Sequence, residues 1–238
     1  AKTFNIVAGT SFLFANADMR DTVNTLVIDE AGQLSLADTL AVSLAAERVV
    51  LVGDPQQLKQ PTRAAHPGTS GLSGLEHINQ GHDVVPREYG ILLGITRRMH
   101  SSITAFVSEQ VYEEKLHSDP TCDRQVIGKG GLVSGHGLRW LPIEHHGCSS
   151  RSLEEAVAIV AIYESLLGKS FTDKHRITRP IEPKDIFVIA PYNAQVRELR
   201  QRIRSSTAVK EAGISDELLR SRVGTVDKAQ GAEAPVVL

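Results

Sequence analysis

The sequence predicts an α/β protein in which parallel strands are covered by helices. Short β-branched runs alternate with helical stretches along the chain, which is the order expected of parallel strands joined by crossover helices. The runs at 5–9, 26–29, 49–52 and 186–190 show almost no polar alternation, as strands buried on both faces do. The predicted strands are Asn5–Gly9, Leu26–Asp29, Val49–Val52, Leu138–Ile143, Ile186–Ala190, Val223–Val226 and Val236–Leu238.

Two helices have clear boundaries in the sequence. The capping-box pair Ser152 and Glu155 opens one of them, and Gly168 is a suitable stop. The second helix follows Pro191, and loops are expected at 61–74 and 119–137. The apolar residues that recur at helical spacing in the two helices are Val157, Val160, Leu167, Val196, Leu199 and Ile203.

Composition narrows the class of protein. Hydrophobic residues make up 41% and charged residues 23% of the 238 residues, and the net charge is -2. This net charge argues against a polybasic protein that binds nucleic acid mainly by neutralising phosphates. It does not argue against a motor that holds single strands through a few placed groups. No apolar run reaches the roughly 18 residues of a membrane span, and the start resembles no secretory signal. With only Cys122 and Cys148, we expect a cytoplasmic protein without a membrane segment or disulfide framework.

The first motif places two carboxylates at the end of a predicted strand. Asp29 and Glu30 follow the apolar run 26–28, at the rim of a parallel sheet where ligands bind. Phosphoryl transfer requires one carboxylate to hold Mg²⁺ and a second group to position or deprotonate water. The alternative is a strand that simply ends in a solvated turn.

The second motif, Gly53-Asp54-Pro55-Gln56-Gln57-Leu58, follows the next strand. Its glycine and proline shape a tight turn, and a glutamine amide there can sense a phosphate oxygen or a water. An ordinary strand-end turn is the alternative. This string of residues after an Asp-Glu strand is rare by chance.

Two further motifs complete the series. In Thr96-Arg97-Arg98-Met99-His100, an arginine fixed at the start of a domain can reach a γ-phosphate. A merely basic helix start is electrostatically disfavoured. The fourth, at 223–233, runs from a strand into a turn dense with hydroxyl, carboxylate, amide and glycine groups.

In this order the four motifs resemble motifs II, III, IV and V of superfamily 1 helicases. They are closest to the 1B branch, which includes the nonsense-mediated-decay and Okazaki-fragment-processing helicases. The segment Pro191–Gln195 resembles the Pro-Tyr-x-x-Gln segment of the second motor domain. The resemblance implies a RecA-like P-loop NTPase helicase fold, with the end of domain 1 in residues 1–85 and most of domain 2 in residues 86–238, ending before motif VI.

The resemblance also implies roles for individual residues, with ATP and Mg²⁺ as cofactors and single-stranded DNA or RNA as partner. Asp29 would hold Mg²⁺ and Glu30 would activate water. Gln57 would couple the γ-phosphate to the nucleic-acid site, and Arg98 would contact that phosphate. The residues implied to hold the nucleotide are Arg97, Gln230, Gly231 and Glu233, and those implied to approach the strand are Gly9, Thr10, Tyr192 and Thr225.

The sequence departs from the family pattern at two points. No Gly-x-x-x-x-Gly-Lys-Ser/Thr occurs, so we expect that this chain alone does not hydrolyse ATP, and measurable turnover would refute this. Without this loop and the strand before it, we also expect an exposed strand edge, through which the chain self-associates or which it covers with its own loops. Arg97 stands where the family has an aromatic residue, and its guanidinium plane can still stack on a base. Bacterial relatives imply a nuclease domain elsewhere in the full-length protein.

Three functions remain open at this point. The first is a helicase or translocase that couples ATP hydrolysis to movement on a single strand and to unwinding of a duplex. The second is an ATPase stimulated by nucleic acid that remodels protein–nucleic-acid complexes without unwinding. The third is a degenerate motor retained as a scaffold, whose mark would be loss of the carboxylates that are present here. A zinc site at His145, His146 and Cys148 lacks recognisable ligand pairing, so a polar loop is favoured.

Overall fold

The computed structural model describes residues 4–57, 67–130 and 132–238, so Leu58 and residues 61–66 of the predicted loop at 61–74 lie outside the described residues. By its contacts the chain divides into two compact units. Unit 1 comprises the described residues up to Leu93 together with Glu109–Glu113, and unit 2 comprises Gly94–Ser108 and Glu114–Leu238. The change at Leu93 lies beyond the predicted domain boundary at 85/86.

The elements are labelled in chain order. The helices are α1 (Ser11–Phe14), α2 (Leu36–Ser43), α3 (Gly74–Asn79), α4 (Ser101–Val111), α5 (Leu153–Leu166), α6 (Asn193–Ser205), α7 (Thr207–Glu211), α8 (Asp216–Arg222) and α9 (Val226–Ala229). The strands are β1 (Val23–Ile28), β2 (Ala46–Leu51), β3 (Ile95–Thr96), β4 (His117–Ser118), β5 (Val126–Ile127), β6 (Ser170–Thr172), β7 (Thr178–Pro180), β8 (Ile186–Ile189), β9 (Val223–Gly224) and β10 (Val236–Val237). In the part of the chain that the structure describes, no helix is both long and apolar enough to cross a bilayer.

Unit 1 is built on a parallel pair of strands. β1 and β2 run side by side, with Ile28 opposite Leu51, and α2 forms the crossover between them. Ser35 caps α2 because its side chain accepts a hydrogen bond from the backbone of Asp38. A small core lies between the helices and one face of the sheet, and its buried members are Phe14, Leu26, Val42 and Ala45.

The expectation that β1 and β2 are buried on both faces is wrong. Leu26 is buried, but Val27 on the opposite face is 60% exposed, and Val50 of β2 is 46% exposed. In the described residues the sheet contains these two strands alone. One face of the sheet is therefore covered by the core and the other is open to solvent, because successive side chains of a strand point to opposite faces.

Unit 2 carries the larger core around a three-stranded parallel sheet. β8 lies in the centre between β10 and β9, and Ile186, Phe187 and Val188 are all buried, as predicted for a central strand. Helices α5 and α6 pack together, and the predicted apolar stripe of α6 is buried. The buried core of this unit includes Tyr163, Leu166, Ile181, Ile186, Val188, Val196, Leu199, Ile203, Leu219 and Val223.

The start of α5 is fixed by a long-range contact as well as by its cap. The hydroxyl of Ser152 accepts a hydrogen bond from the backbone of Glu155 at 3.1 Å, which is one half of the predicted capping box. The other half does not form, because the N–H of Ser152 donates to Gln195 instead of to the Glu155 side chain. The buried amide of Gln195 holds Ser152 from both sides, accepting from its N–H at 2.8 Å and donating to its carbonyl at 3.0 Å. The helix stops before Gly168, whose φ of +75° a residue with a side chain rarely adopts.

Two of the predicted strands do not form. Asn5–Gly9 and Leu138–Ile143 have no regular structure, and Trp140 in the second of these segments is 90% exposed. The predicted strand Val223–Val226 is shortened because α9 begins at Val226. Conversely, β5 lies inside the predicted loop at 119–137 and pairs antiparallel with β6, which pairs with β7.

Candidate nucleotide site

In unit 1 the loops that follow β1 and β2 are held side by side. The parallel ladder continues past the strand ends, since the N–H of Val52 donates to the carbonyl of Ile28 at 2.8 Å and that of Ala31 donates to Val52 at 2.9 Å. The first two sequence motifs therefore meet at the carboxyl edge of the sheet, which is where open α/β sheets bind ligands.

Two glycines permit this close approach. A Cβ on Gly53 would lie 2.8 Å from the backbone nitrogen of Ala31, and a Cβ on Gly32 would lie 2.8 Å from the carbonyl oxygen of Asp54. Both distances are too short for a real side chain, and in each case the obstacle is backbone rather than a flexible group. Glycine is thus required at both positions for the loops to pack as they do.

The paired carboxylates of Asp29 and Glu30 are both exposed to solvent. Asp29 Oδ1 accepts from the backbone of Glu30 at 2.9 Å, and Glu30 Oε2 accepts from the amide of Gln33 at 3.2 Å. Glu30 has a φ of +52°, a left-handed conformation that is uncommon outside glycine and recurs at functional sites. An exposed carboxylate beside a second one suits Mg²⁺, which prefers oxygen ligands.

Asp54 organises the second loop. Its Oδ1 accepts from the backbone of Gln56 at 3.0 Å, and its Oδ2 lies 3.5 Å from the amide nitrogen of Gln57 and accepts from the hydroxyl of Tyr112 at 2.5 Å. The side chain of Gln56 is occupied elsewhere, because it donates to Asp83 Oδ1 at 2.9 Å. Gln57, the predicted sensor, is exposed. The part played by Tyr112 has no local signal in the sequence.

In unit 2 the predicted γ-phosphate contact, Arg98, is bound to another predicted site residue. Its Nε lies 2.7 Å and its Nη2 2.5 Å from Oε1 of Glu233. Both side chains are more than half exposed, and an exposed ion pair of this kind is worth about 0–1 kcal/mol. A phosphate can therefore compete for the guanidinium.

The backbone around Arg97 and Arg98 is fixed by residues that sequence reasoning missed. Lys174 donates to the carbonyl of Arg97 at 2.8 Å, and the amide of Gln125 donates to the carbonyl of Arg98 at 2.9 Å. The side chain of Arg97 is 82% exposed and lies 3.8 Å from Asp119. Its guanidinium is thus open to a ligand, while its backbone is anchored.

The turn after α9 contains an unusual buried donor. The amide nitrogen of Gln230 is buried and has no hydrogen-bond partner within the described residues. A buried donor without a partner is unfavourable by roughly 1–3 kcal/mol, so an acceptor from a ligand would stabilise it. The next residue, Gly231, has a φ of +74° and open space around its Cα.

The residues predicted to approach a nucleic acid fall in both units. Gly9 and Thr10 of unit 1 are exposed. In unit 2 the ring of Tyr192 is exposed, whereas its carbonyl accepts from Val196 at 3.0 Å at the start of α6. Thr225 precedes α9, and its hydroxyl makes no capping bond. All four have surface available, and their roles stay predictions.

The histidine-rich segment before α5 gives no metal centre in the structure. Nε2 of His145 lies 3.4 Å from a carboxylate oxygen of Glu155, and Cys148 Sγ lies 3.8 Å from Glu154. Within residues 4–57, 67–130 and 132–238, no three histidine, cysteine or acidic side chains are grouped closely enough to hold a metal ion.

The parallel strands flanked by helices, and the polar loops at their carboxyl ends, are those of RecA-like α/β nucleotide-binding proteins. Two family models, each described as an AAA domain, match residues 1–63 and residues 72–238. The chain belongs to this family, and within it to the superfamily 1 helicases, as the motif resemblance implies.

Three relatives show the extent of the similarity. The human protein named 3'-5' exoribonuclease HELZ2 is 30% identical over 91% of this chain, which spans 7% of that protein. Putative helicase mov-10-B.1 of Danio rerio is 28% identical over 90% of the chain and 23% of its own length. DNA polymerase alpha-associated DNA helicase A of Schizosaccharomyces pombe is 27% identical over 90% of the chain and 31% of its own length. The chain thus spans less than a third of each of them.

Proposed function

We propose that the full-length protein is an ATP-dependent helicase that couples hydrolysis to movement along single-stranded nucleic acid and to unwinding of duplex. The observation that carries the proposal is the meeting of the two strand-end loops in unit 1, where Gly53 packs on the backbone of Ala31. This contact brings together the loop that follows Asp29 and Glu30 and the loop that contains Gln56 and Gln57.

In this proposal each site residue has a definite task. Asp29 holds Mg²⁺, which when bound neutralises charge on the phosphates. Glu30 accepts a proton from the attacking water, and Gln57 reports the state of the γ-phosphate. Arg98 exchanges Glu233 for that phosphate, because a bidentate, charge-assisted contact to phosphate is stronger than an exposed ion pair.

The remaining candidate residues are assigned to binding of the nucleotide or of the single-stranded nucleic acid. We assign Arg97, Gln230 and Gly231 to the nucleotide, since an open guanidinium, an orphaned amide and an unobstructed backbone suit a polar ligand. We assign the strand to the exposed surfaces of Gly9, Thr10, Tyr192 and Thr225, where aromatic stacking and backbone contacts require no sequence preference.

We also propose that residues 1–85 belong to the first RecA-like domain of the motor and residues 86–238 to the second. The division into two compact units near Leu93 supports this order, except that the short segment Glu109–Glu113 belongs by its contacts to unit 1. A motor of two domains steps when γ-phosphate contacts favour the closed arrangement and hydrolysis releases it.

The test is ATP hydrolysis by the full-length protein with and without single-stranded DNA and RNA. Glu30→Gln is expected to lower turnover by at least about 10²-fold, since general acid–base groups contribute about 10²–10⁴-fold. Glu47→Gln makes the same chemical change at an exposed position near the start of β2, and it should leave turnover unchanged. Stimulation by one polymer, abolished only in Glu30→Gln, would establish the motor and identify its track.

Other outcomes would select the alternatives. Stimulated hydrolysis without displacement of a labelled strand from a duplex would indicate a remodelling ATPase. Binding of single strands without hydrolysis, in protein shown to be folded, would indicate a scaffold. Degradation of the labelled strand would reveal a nuclease domain outside this chain, the activity for which the human relative is named.

We further infer that the chain self-associates through the open face and edge of the β1–β2 sheet. Val27, Val50 and Val52 are each more than 40% exposed there, and exposed strand edges pair readily with other chains. Sedimentation of the chain should depend on concentration, and Val50→Lys should weaken the association. A monomer at all concentrations would contradict this inference.

We place the protein in the cytoplasm because its two cysteines are both free: Cys122 is buried and Cys148 half-buried. A reducing compartment preserves such thiols. Fractionation of cells that express the full-length protein checks the assignment, and recovery in a secreted fraction would overturn it.

A further inference from the structure

A part-buried hydrogen bond in unit 1 joins the second strand-end loop to a tyrosine 58 residues further along the chain. The hydroxyl of Tyr112 donates to Oδ2 of Asp54 at 2.5 Å. Tyr112 directly follows the last residue of α4, and residues 109–113 belong by their contacts to unit 1. The contact therefore lies wholly within that unit.

The environment of the hydroxyl indicates a strong hydrogen bond. The ring of Tyr112 is half-buried, and burial, reinforced by the hydrogen bond and by the charge of Asp54, raises the pKa of the phenol well above its ordinary value. The hydroxyl thus keeps its proton across the physiological range and remains a donor. A hydrogen bond to a charged group contributes more than a neutral one.

The carboxylate that Tyr112 holds is the group that shapes the loop. One oxygen of Asp54 accepts from the backbone of Gln56, and the other, shared with Tyr112, faces the amide of Gln57 at 3.5 Å. An aspartate near the surface would otherwise rotate about its side-chain bonds and release both partners. Because the phenol fixes Oδ2 of Asp54, Oδ1 stays directed at the backbone N–H of Gln56.

We propose that Tyr112 is a positioning residue for Gln57: its hydroxyl orients Asp54, and Asp54 holds the Gly53–Gln57 turn in the conformation that presents the Gln57 amide. The proposal rests on the function proposed above, because it assigns Gln57 to the γ-phosphate. It adds a residue outside the four motifs to the apparatus that senses the nucleotide.

The decisive variant is Tyr112→Phe, which removes one oxygen atom and keeps the ring. In the full-length protein we expect kcat for nucleic-acid-stimulated ATP hydrolysis to fall about tenfold, the equivalent of one lost charged hydrogen bond, with KM for ATP within about twofold. A fall in kcat with an almost unchanged KM indicates lost alignment in the transition state rather than weaker binding of ATP.

The matched control is Tyr163→Phe. Tyr163 is buried in the core of unit 2, and its hydroxyl lies 3.5 Å from the carbonyl of Pro183. The same atom is removed there without touching the strand-end loops, so kcat and KM should both stay at the wild-type values.

A second variant tests whether Tyr112 acts through Asp54. Asp54→Ala removes both acceptor oxygens and is expected to lower kcat, and the double variant with Tyr112→Phe should have the same kcat as Asp54→Ala. If the two losses multiply instead, Tyr112 acts by another route and the proposal is wrong.

A readout independent of turnover is millisecond hydrogen exchange of the peptide that covers residues 52–57. Tyr112→Phe should speed exchange of this peptide by at least about threefold, because the amide of Gln56 loses an oriented acceptor, and leave other peptides unchanged. Tyr163→Phe should not affect the peptide. Unchanged exchange in Tyr112→Phe, or faster exchange throughout the protein, would overturn the proposal.

The two readouts separate this proposal from the function on which it rests. If the wild-type protein shows no hydrolysis stimulated by nucleic acid, the proposed function fails. The exchange experiment then decides alone whether Tyr112 orders the turn. If the wild type hydrolyses ATP and Tyr112→Phe changes neither kcat nor exchange, the positioning role fails and the helicase function stands.

Discussion

Arg98 directs two nitrogens of its guanidinium at a single oxygen of Glu233, with Nε at 2.7 Å and Nη2 at 2.5 Å. The backbone carbonyl of Glu233 is held in turn by Arg222 at 3.2 Å. Motif IV and motif V, 135 residues apart, are therefore joined within unit 2 by one ion pair. In the proposed function Arg98 contacts the γ-phosphate, so nucleotide binding is expected to break this ion pair.

We predict that the effects of Arg98→Ala and Glu233→Ala on hydrolysis are not additive. Arg98→Ala should lower kcat by about 10³-fold, the lower end of the range for arginine fingers. Because the two side chains touch, the double variant should depart from the product of the single effects by at least about twofold, or 0.5 kcal/mol. The kcat values of the four proteins give the result directly.

Arg97→Ala serves as the comparison. Its side chain is 82% exposed and is proposed to bind the base rather than the γ-phosphate, so it should raise KM for ATP with little change in kcat. Strictly multiplicative effects of Arg98→Ala and Glu233→Ala would show that the ion pair has no part in turnover.

A second prediction concerns stability. Arg179 makes a bidentate pair with the buried carboxylate of Asp185, at 2.6 and 2.7 Å. Removing one partner of a buried pair is destabilising by roughly 3–5 kcal/mol, and since Arg179 is itself partly exposed we expect about 2–3 kcal/mol for Arg179→Ala. Urea denaturation of the purified chain measures the loss.

The control and the pH dependence follow from the same pair. Lys184→Ala removes an exposed partner of Glu182 and should destabilise by less than about 1 kcal/mol. Burial alone would raise the pKa of Asp185, but hydrogen bonds from Arg179 and from the backbone of Glu182 lower it on balance. The contribution is thus present above the ordinary value of 3.8 and is lost as the pH falls through the lowered pKa. An equal effect of both substitutions near pH 7 would contradict the assignment.

A third prediction uses the stacked rings of His100 and His136, whose centroids lie 3.8 Å apart. Burial, and next the charge of His136, lower the pKa of His100 from 6.5, against the opposing influence of Asp123. The unfolded chain therefore takes up a proton more readily than the folded chain. The free energy of unfolding should fall as the pH drops from 6.5 towards the lowered pKa, and it should be fully retained above 6.5.

His100→Gln should flatten this dependence, whereas His175→Gln, at an exposed position in the turn between β6 and β7, should preserve it. The quantity compared is the difference in unfolding free energy between about pH 7.5 and about pH 5.5 for each protein, so any general destabilisation cancels. If His100→Gln retains the full difference, another group is responsible.

The sequence predicted five of the parallel strands, β1, β2, β8, β9 and β10, for a local reason. It missed the parallel pair of β3 and β4, which are two residues long each. Leu26–Asp29, Val49–Val52 and Ile186–Ala190 carry apolar runs that end in turn residues, and each has a parallel partner. Asn5–Gly9 has a similar composition, and Leu138–Ile143 contains Pro142, which cannot donate a backbone hydrogen bond to a neighbouring strand. Neither segment forms a strand in the structure. Strand preference depends on a partner and on burial, which composition does not report.

The candidate site likewise has residues that the sequence predicts and contacts that it does not. Asp29, Glu30, Gln57 and Arg98 were predictable as candidates because each lies in a motif with a chemical reason for its residue types, and their roles stay predictions. The contacts that hold them were not predictable. Tyr112 and Asp54 are 58 residues apart, and Lys174 reaches Arg97 across 77 residues. Such contacts arise from tertiary packing and leave no pattern of period or spacing along the chain.

The last prediction tests the packing of the two strand-end loops. A methyl group on Gly53 would lie 2.8 Å from the backbone nitrogen of Ala31 and 3.0 Å from that of Gly32. Backbone atoms cannot move aside as a side chain does, so Gly53→Ala should push the loops apart. We expect a loss of about 1–3 kcal/mol in stability, as for overpacking, and a fall in kcat of at least about tenfold because the carboxylates and glutamines lose their alignment.

Gly90→Ala is the matched control in the same unit, since its methyl group would meet only a methyl group of Val85, at 3.0 Å. It should leave kcat unchanged. Urea denaturation of the purified chain and ATP hydrolysis by the full-length protein measure the two effects. If Gly53→Ala retains wild-type kcat, the close approach of the loops is a packing feature alone, and the observation that carries the proposed function loses its force.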